Sequence, residues 1–302
     1  MLGSAAGGGF PQWNCNCANC AGYRAGTFRG QARTQSSIAV SGSDAASWVL
    51  VNASPDIREQ LQASPVLQPN RALRDTALAA IVLVDGQVDH TTGLYMLREA
   101  NRPWPIWCTD STYADLTRGN PILGVLAHYC GVERRRIDFT GEGFRVDGVS
   151  GVRWQALPVA SKPAPYSPNR DSPIEGDNLA LIITDEASGR SALYAPGLAA
   201  VDDRVWRAMQ AAACVLVDGT FWTDDEMVRV GVSRKRARDI GHLPQSGPGG
   251  MLEYLDRLPA STRRILIHIN NTNPILDEDS AEFAELKRRG VEVARDGMEI
   301  TL

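Results

Sequence analysis

Short apolar runs rich in Val, Ile and Leu, each stopping at polar turn residues, recur along this chain and leave few architectures open. Residues 80–84 stop at Asp85-Gly86, residues 214–217 stop at Asp218-Gly219, and residues 264–269 stop at Asn270-Asn271. Such runs are too short for independent helices, and they are continuous where a half-exposed strand would alternate. They therefore predict strands covered on both faces. Further strands are expected at 105–109, at 179–184 with 192–195 around Ser188-Gly189, and at 37–40 with 48–51, a hairpin about Gly42-Ser43-Asp44. Helical spacing marks 91–100, 202–212 and 281–289, with Asp110 or Ser111 as the N-cap of one more helix and a final strand pair after residue 289. Strands and helices mixed through both halves predict one α/β domain over residues 1–302, built on two sheets. Two stretches rich in Pro and Gly, 161–177 and 244–250, read as loops, and the first is long enough to suggest a functional one.

Composition narrows the function. A net charge of −4 over 302 residues lacks the basic surplus that phosphate neutralisation requires, so nucleic acid is not an expected partner. No run reaches bilayer length, and residues 1–11 show no basic segment followed by an apolar one, so neither a membrane segment nor a secretory signal is expected. Cytoplasm is the expected compartment. There a set of six cysteines needs a use other than disulfides. Cys108, Cys130 and Cys214 sit singly in apolar surroundings and read as buried packing. Cys15, Cys17 and Cys20 fall within six residues, a spacing that suits a closed zinc site with one ligand still to come.

Candidate ligands for a second ion lie at strand ends. Asp89-His90 follows the run to Val84, Asp218 closes the run to Val217, and His242 and His268 complete a set that holds three of the four histidines. His128 reads as a bystander. Each of these has an ordinary structural reading by itself. Together, an Asp-His pair and a distant His would bring one carboxylate and two imidazoles to one point, a set suited to a divalent transition metal with open positions. Gly7-Gly8-Gly9 is followed by no Gly-Lys-Ser/Thr pattern, so a phosphate loop is poorly supported.

Asp85-x-Gln87-x-Asp89-His90 is similar to the His-x-His-x-Asp-His signature with which the metallo-β-lactamase superfamily binds two metals. Asp89-His90, then Gly241-His242, then His268 resembles that superfamily's motif order. The run from Gly3 through Phe10-Pro11-Gln12-Trp13-Asn14-Cys15-Asn16-Cys17, with Asp89-His90-Thr91-Thr92-Gly93-Leu94, Tyr194-Ala195-Pro196-Gly197-Leu198, Leu216-Val217-Asp218-Gly219-Thr220 and His268-Ile269-Asn270-Asn271-Thr272-Asn273-Pro274, resembles the PQQ synthesis protein B family within it. The resemblance implies an αββα sandwich. It also exposes departures. Asp85 and Gln87 replace the first two histidines, no aspartate stands near Gly197, and residues 157–161 contain no histidine. The two-metal site of hydrolytic members is thus cut down to Asp89, His90 and His268, with Asp85 and Gln87 expected to contribute little to holding the ion. Asp218 and His242 are expected to act beside it, as supporting or proton-relay groups.

That remainder has the composition of the triad used for Fe(II) oxygen chemistry. The resemblance implies a step in making pyrroloquinoline quinone, in which O2 and Fe(II) hydroxylate the tyrosine of a Glu-Tyr unit. Tyr166 and Arg170, in the 161–177 loop, are expected to cover the anionic substrate. Two rival readings accompany it: a metal-dependent hydrolase, and a non-catalytic carrier for PQQ or its precursor to the periplasm. Expected partners are therefore the Glu-Tyr unit or a PQQ precursor, O2, and, as an open alternative, a second copy of the chain. Related phosphodiesterases complete a similar cysteine trio with a histidine three residues beyond the last metal histidine, a place held here by Asn271. The family's first strand precedes Leu2-Gly3-Ser4, so an edge strand there is expected to be short or absent.

Overall fold

Alternation inside the apolar runs assigns side chains to three layers. The computed structural model describes residues 1–139 and 141–302. One sheet holds β1 (Ile38–Ser41), β2 (Trp48–Val51), β3 (Leu78–Val82), β4 (Trp104–Cys108) and β5 (Val132–Arg136) in that order; β1 and β2 are antiparallel and the rest parallel. The other holds β6 (Val152–Pro158), β7 (Leu179–Asp185), β8 (Ser191–Ala195), β9 (Cys214–Asp218), β10 (Arg263–Ile267) and β11 (Val291–Val293). There β6, β7 and β8 meander antiparallel, and β8 through β11 run parallel.

Val49, Val51, Ala80 and Val82 point from the first sheet toward Tyr194, Leu216, Ile265 and Ile267 of the second, with Trp154 fully buried between them. Their immediate neighbours face the other way. Leu50, Ile81 and Ile106 pack under Ile57 and Ile122, each the first residue of a helix, Ile57–Ala63 and Ile122–Leu126. Leu193, Val215, Val217 and Leu266 pack under Val205, Leu252 and Leu286, from helices Asp203–Ala211, Met251–Asp256 and Ala281–Arg289. Helix, sheet, sheet, helix is the αββα sandwich of the metallo-β-lactamase fold. Truncating a central side chain such as Trp154 to Ala would cost about 3–5 kcal/mol.

Four expectations are corrected. The helix at 91–100 breaks into a turn, Val88–Thr91, followed by a 3-10 segment, Thr92–Leu97, because Gly93 is drawn onto the Ala53 carbonyl, its N–H donating at 2.9 Å. Thr109, not Asp110 or Ser111, caps the next helix, its hydroxyl accepting from the Thr112 N–H at 3.0 Å, while Asp110 pairs with Arg134 and Arg136. The final strand pair is β11 alone. Beyond it Asp296 turns away from the sheet to accept from Ser4 and Thr34. Cys130 is half-buried, whereas Cys108 and Cys214 lie in the core. At the chain start, residues 2–6 form isolated bridges only, Gly3 with Ser37 and Ala5 with both Gln35 and Ile269. Among the described residues no helix is long and apolar enough to cross a membrane.

Candidate metal centre

Chain leaving the carboxyl ends of β3, β9 and β10 converges where the two sheets meet, as parallel strands favour. After β3 the turn Val88–Thr91 sets Asp89 beside His90. His90 is 2% exposed, and its Nδ1 lies 2.8 and 2.9 Å from the two oxygens of Asp85. A carboxylate only accepts, so Nδ1 carries a proton and Nε2 is turned the other way. That Nε2 is buried without a hydrogen-bond partner, Asp89 Oδ2 standing 3.9 Å away, a condition that costs roughly 1–3 kcal/mol unless something binds there. Burial opposes charge on this ring, yet Asp85 and Asp89 raise it to about 9. A cation at Nε2 would displace the second proton. Burial likewise opposes charge on Asp89, but His90 and His268 hold its carboxyl well below the usual carboxylate range.

His268 follows β10 directly with a left-handed backbone, φ 58°, a region histidine enters more readily than most residues. Its Nε2 stands 3.3 Å from Asp89 Oδ2 and its Nδ1 2.9 Å from Thr220 Oγ1. Thr220 donates its hydroxyl to Asp218 Oδ1 at 2.6 Å, so the same oxygen accepts from the His268 Nδ1–H. The other Asp218 oxygen accepts from Leu198 N–H at 2.9 Å and His242 Nδ1–H at 2.7 Å. Asp218 is fully buried; burial opposes its charge, and His242 keeps the carboxyl below its ordinary value. His242 is raised in turn, against burial, by Asp218. The His242 ring stacks on His268 at 5.3 Å between centroids.

Two donor groups result, Asp89/His90/His268 and Asp218/His242/His268, each with its ligand atoms within 4.8 Å of one another. The first fits an ion: two imidazole nitrogens are aimed inward by partners behind them, with a carboxylate between. The second is differently disposed, because each Asp218 oxygen already accepts two hydrogen bonds. Its geometry is that of a support behind His268.

Asp85 stands behind a ligand and outside both donor groups. Both its oxygens face His90 Nδ1, and Oδ1 also accepts from the Gln87 N–H at 2.9 Å, which makes it the residue that orients a ligand. Gln87 instead donates to the Lys162 carbonyl at 3.1 Å. Sequence reasoning missed Thr220, whose signal was its place two residues after Asp218. It also missed the packing role of Gly7, where a Cβ would stand 3.3 Å from Asp89 Oδ2. His128 is exposed in a helical layer away from these residues.

Cys15, Cys17 and Cys20 bring their sulfurs within 4.8 Å of one another at the start of helix Ala18–Ala25. Asn271 stands against them, its Nδ2 3.4 Å from Cys20 Sγ and 3.7 Å from Cys17 Sγ. Burial and the neighbouring sulfurs push the Cys17 thiol up to about 12. Cys15 is lowered, against burial, by hydrogen bonds from Cys17. Three crowded thiols do not ionise together without a cation, and sulfur is the donor zinc prefers. Asn271 is three residues past His268, so the two centres share one short strap.

The 161–177 loop closes one side of the site, but not as expected. Tyr166 hydroxyl donates to the Gly86 carbonyl and Arg170 to the Pro163 carbonyl, so both side chains hold the loop itself.

Sheet order and donor set define a metal-binding chain of the β-lactamase superfamily, whose domain family matches residues 47–269. Coenzyme PQQ synthesis protein B of Azoarcus sp. (strain BH72) is 64% identical over 302 residues, covering 100% of this chain and 99% of that one. The protein of the same name from Methylobacillus flagellatus is 57% identical over 303 residues, with 100% and 99% covered. Zn(2+)-bound PqqB from Methylobacterium extorquens superposes with a TM-score of 0.89 at 37% identity, covering 100% of this chain and 98% of that structure. The chain belongs to the coenzyme PQQ synthesis protein B family.

Proposed function

We propose that this chain acts in PQQ biosynthesis as an Fe(II)- and O2-dependent hydroxylase of the tyrosine ring in a Glu-Tyr unit. One observation carries the reading: the buried, unpartnered His90 Nε2 meets Asp89 and His268 in a set of two imidazoles and one carboxylate, while Asp85 and Gln87 are engaged elsewhere. Iron bound there would supply oxygen activation at positions left open by three protein ligands. Asp85 fixes the tautomer and tilt of His90. Thr220 and Asp218 do the same for His268, and His242, held through Nδ1, keeps Nε2 free to take or return a proton. One atom of O2 enters the ring and the other leaves as water, so two electrons come from an external reductant. The PqqB of Methylobacterium extorquens is zinc-bound; for this chain we assign zinc to Cys15, Cys17 and Cys20 and iron to Asp89, His90 and His268.

A dinuclear hydrolase is disfavoured because each Asp218 oxygen already accepts two hydrogen bonds and Asp85 is turned to His90 Nδ1. The test is anaerobic loading with Fe(II), then O2, ascorbate and Glu-Tyr. Hydroxylated product carrying heavy oxygen from O2, and absent in His268→Ala, supports the hydroxylase. Label from water through bond cleavage favours the hydrolase. Tight binding of PQQ without turnover favours the carrier.

A further inference from the structure

Between Gln87 and Gly241 the structure pins a cation that nothing in the metal centre uses. The Lys162 carbonyl accepts from the Gln87 side chain at 3.1 Å, two residues before Asp89. On its other side Lys162 packs against Gly241, immediately before His242. A Cβ on Gly241 would stand 2.6 Å from Lys162 N and 2.7 Å from Ser161 Oγ, and the Ser161 hydroxyl donates to the Gly241 carbonyl at 2.9 Å. The backbone of Lys162 is therefore wedged between the segment carrying Asp89 and His90 and the segment carrying His242. Its side chain is exposed, and its ammonium has no ion pair or hydrogen bond among the described residues. The loop's other two candidates, Tyr166 and Arg170, are occupied by the carbonyls of Gly86, in the turn after β3, and Pro163, in the loop itself.

The geometry points to Lys162 as the receptor for a substrate carboxylate at the rim of the metal centre. A fixed backbone with a free, mobile ammonium suits this: the anchor sets where the charge is offered, and a Lys stem adjusts to a small ligand. The chemical class follows, a small molecule with a carboxylate within one lysine length of the group held at the ion. This rests on the reading above only for the choice of probe.

The experiment measures binding, not turnover. Metal-loaded protein is titrated anaerobically by calorimetry with Glu-Tyr, with its C-terminal amide, and with PQQ. Lys162→Met should weaken whichever carboxylate probes bind wild type by about tenfold, as loss of one charge-assisted contact does, with metal content and melting temperature unchanged. Lys162→Arg should recover most of it, and Lys287→Met, an exposed cation on the outer helix Ala281–Arg289, should change nothing. Lys162→Met affinity equal to wild type, an equal loss in Lys287→Met, or no binding of any probe to wild type would overturn the assignment. If the lysine effect holds while no hydroxylation occurs, the subsite stands and the hydroxylase reading falls.

Discussion

The cysteine cluster and the Asp/His centre border one short strap, Asn271 standing against the first and His268 belonging to the second, yet the chain builds them in opposite ways. Cys15, Cys17 and Cys20 are gathered by six consecutive residues and one helix start. Asp89 and His268 are 179 positions apart and reach each other only because two sheets have packed. By the logarithmic rule for loop closure, joining ends 179 residues apart costs about 3 kcal/mol more than joining ends about five apart. That cost is met by the inter-sheet core. The cysteine site therefore depends on its own thiols, and the Asp/His site depends on the whole fold and on the residues standing behind each ligand.

The sharpest way to break this comparison is to remove a ligand. His268→Ala and His90→Ala should each abolish binding at the Asp/His centre while one zinc per chain remains, measured by elemental analysis. Loss of both ions together, or two ions outside the cysteines, would show that the centres are not separable. Cys17→Ser should lower zinc content and the melting temperature together, by roughly 5–10 °C, since structural metal affinity is folding free energy. An unchanged melting curve would remove the structural role.

Smaller effects sharpen the contrast. Asp85→Asn and Thr220→Val leave all three ligands in place but loosen their backing, and should each weaken the ion by about 10- to 100-fold. Gln87→Ala should stay within about threefold. Equal losses in all three variants would contradict the assignment of Asp85 and Thr220 as orienting residues. The smallest effect concerns the strap. Glu226 is buried, accepting from Thr272 Oγ1 and Trp222 N–H at 2.6 Å each, and burial raises its carboxyl to about 7. Its folded value thus exceeds its unfolded one, so its contribution is complete below about pH 4.5 and is lost as pH rises through about 7. Denaturant midpoints should fall across that window, and Glu226→Gln should flatten the decline.

What was legible in the sequence follows the same division. β3, β9 and β10 were readable because both faces are buried and their runs stay apolar. β5 was not, since Val132–Arg136 is an edge strand whose Arg side chains face outward and erase the hydrophobic signal. β6 did carry a signal, Val152 and Trp154 inward alternating with the half-buried Arg153 and Gln155, and alternation alone would have found it. The ligands Asp89, His90 and His268 stood out by residue type and motif order. The service of Asp85 and Thr220 did not, because it depends on which way a side chain turns after the strands have packed. Tyr166 and Arg170 were misjudged for the same reason. Their chemistry suited a ligand, and the backbone carbonyls of Gly86 and Pro163 reached them first.

The distance between His90 and His268 also sets an order of events on the ribosome. Cys15, Cys17 and Cys20 leave the ribosome before β1, so that donor trio is complete while the sheets are still unmade. His268 emerges only after β10, so the Asp/His donors meet only once both sheets have formed. Which ion enters is then decided by the shape of that completed cavity and by whatever metal the cell has free at that moment, a choice the nascent chain never gets to make.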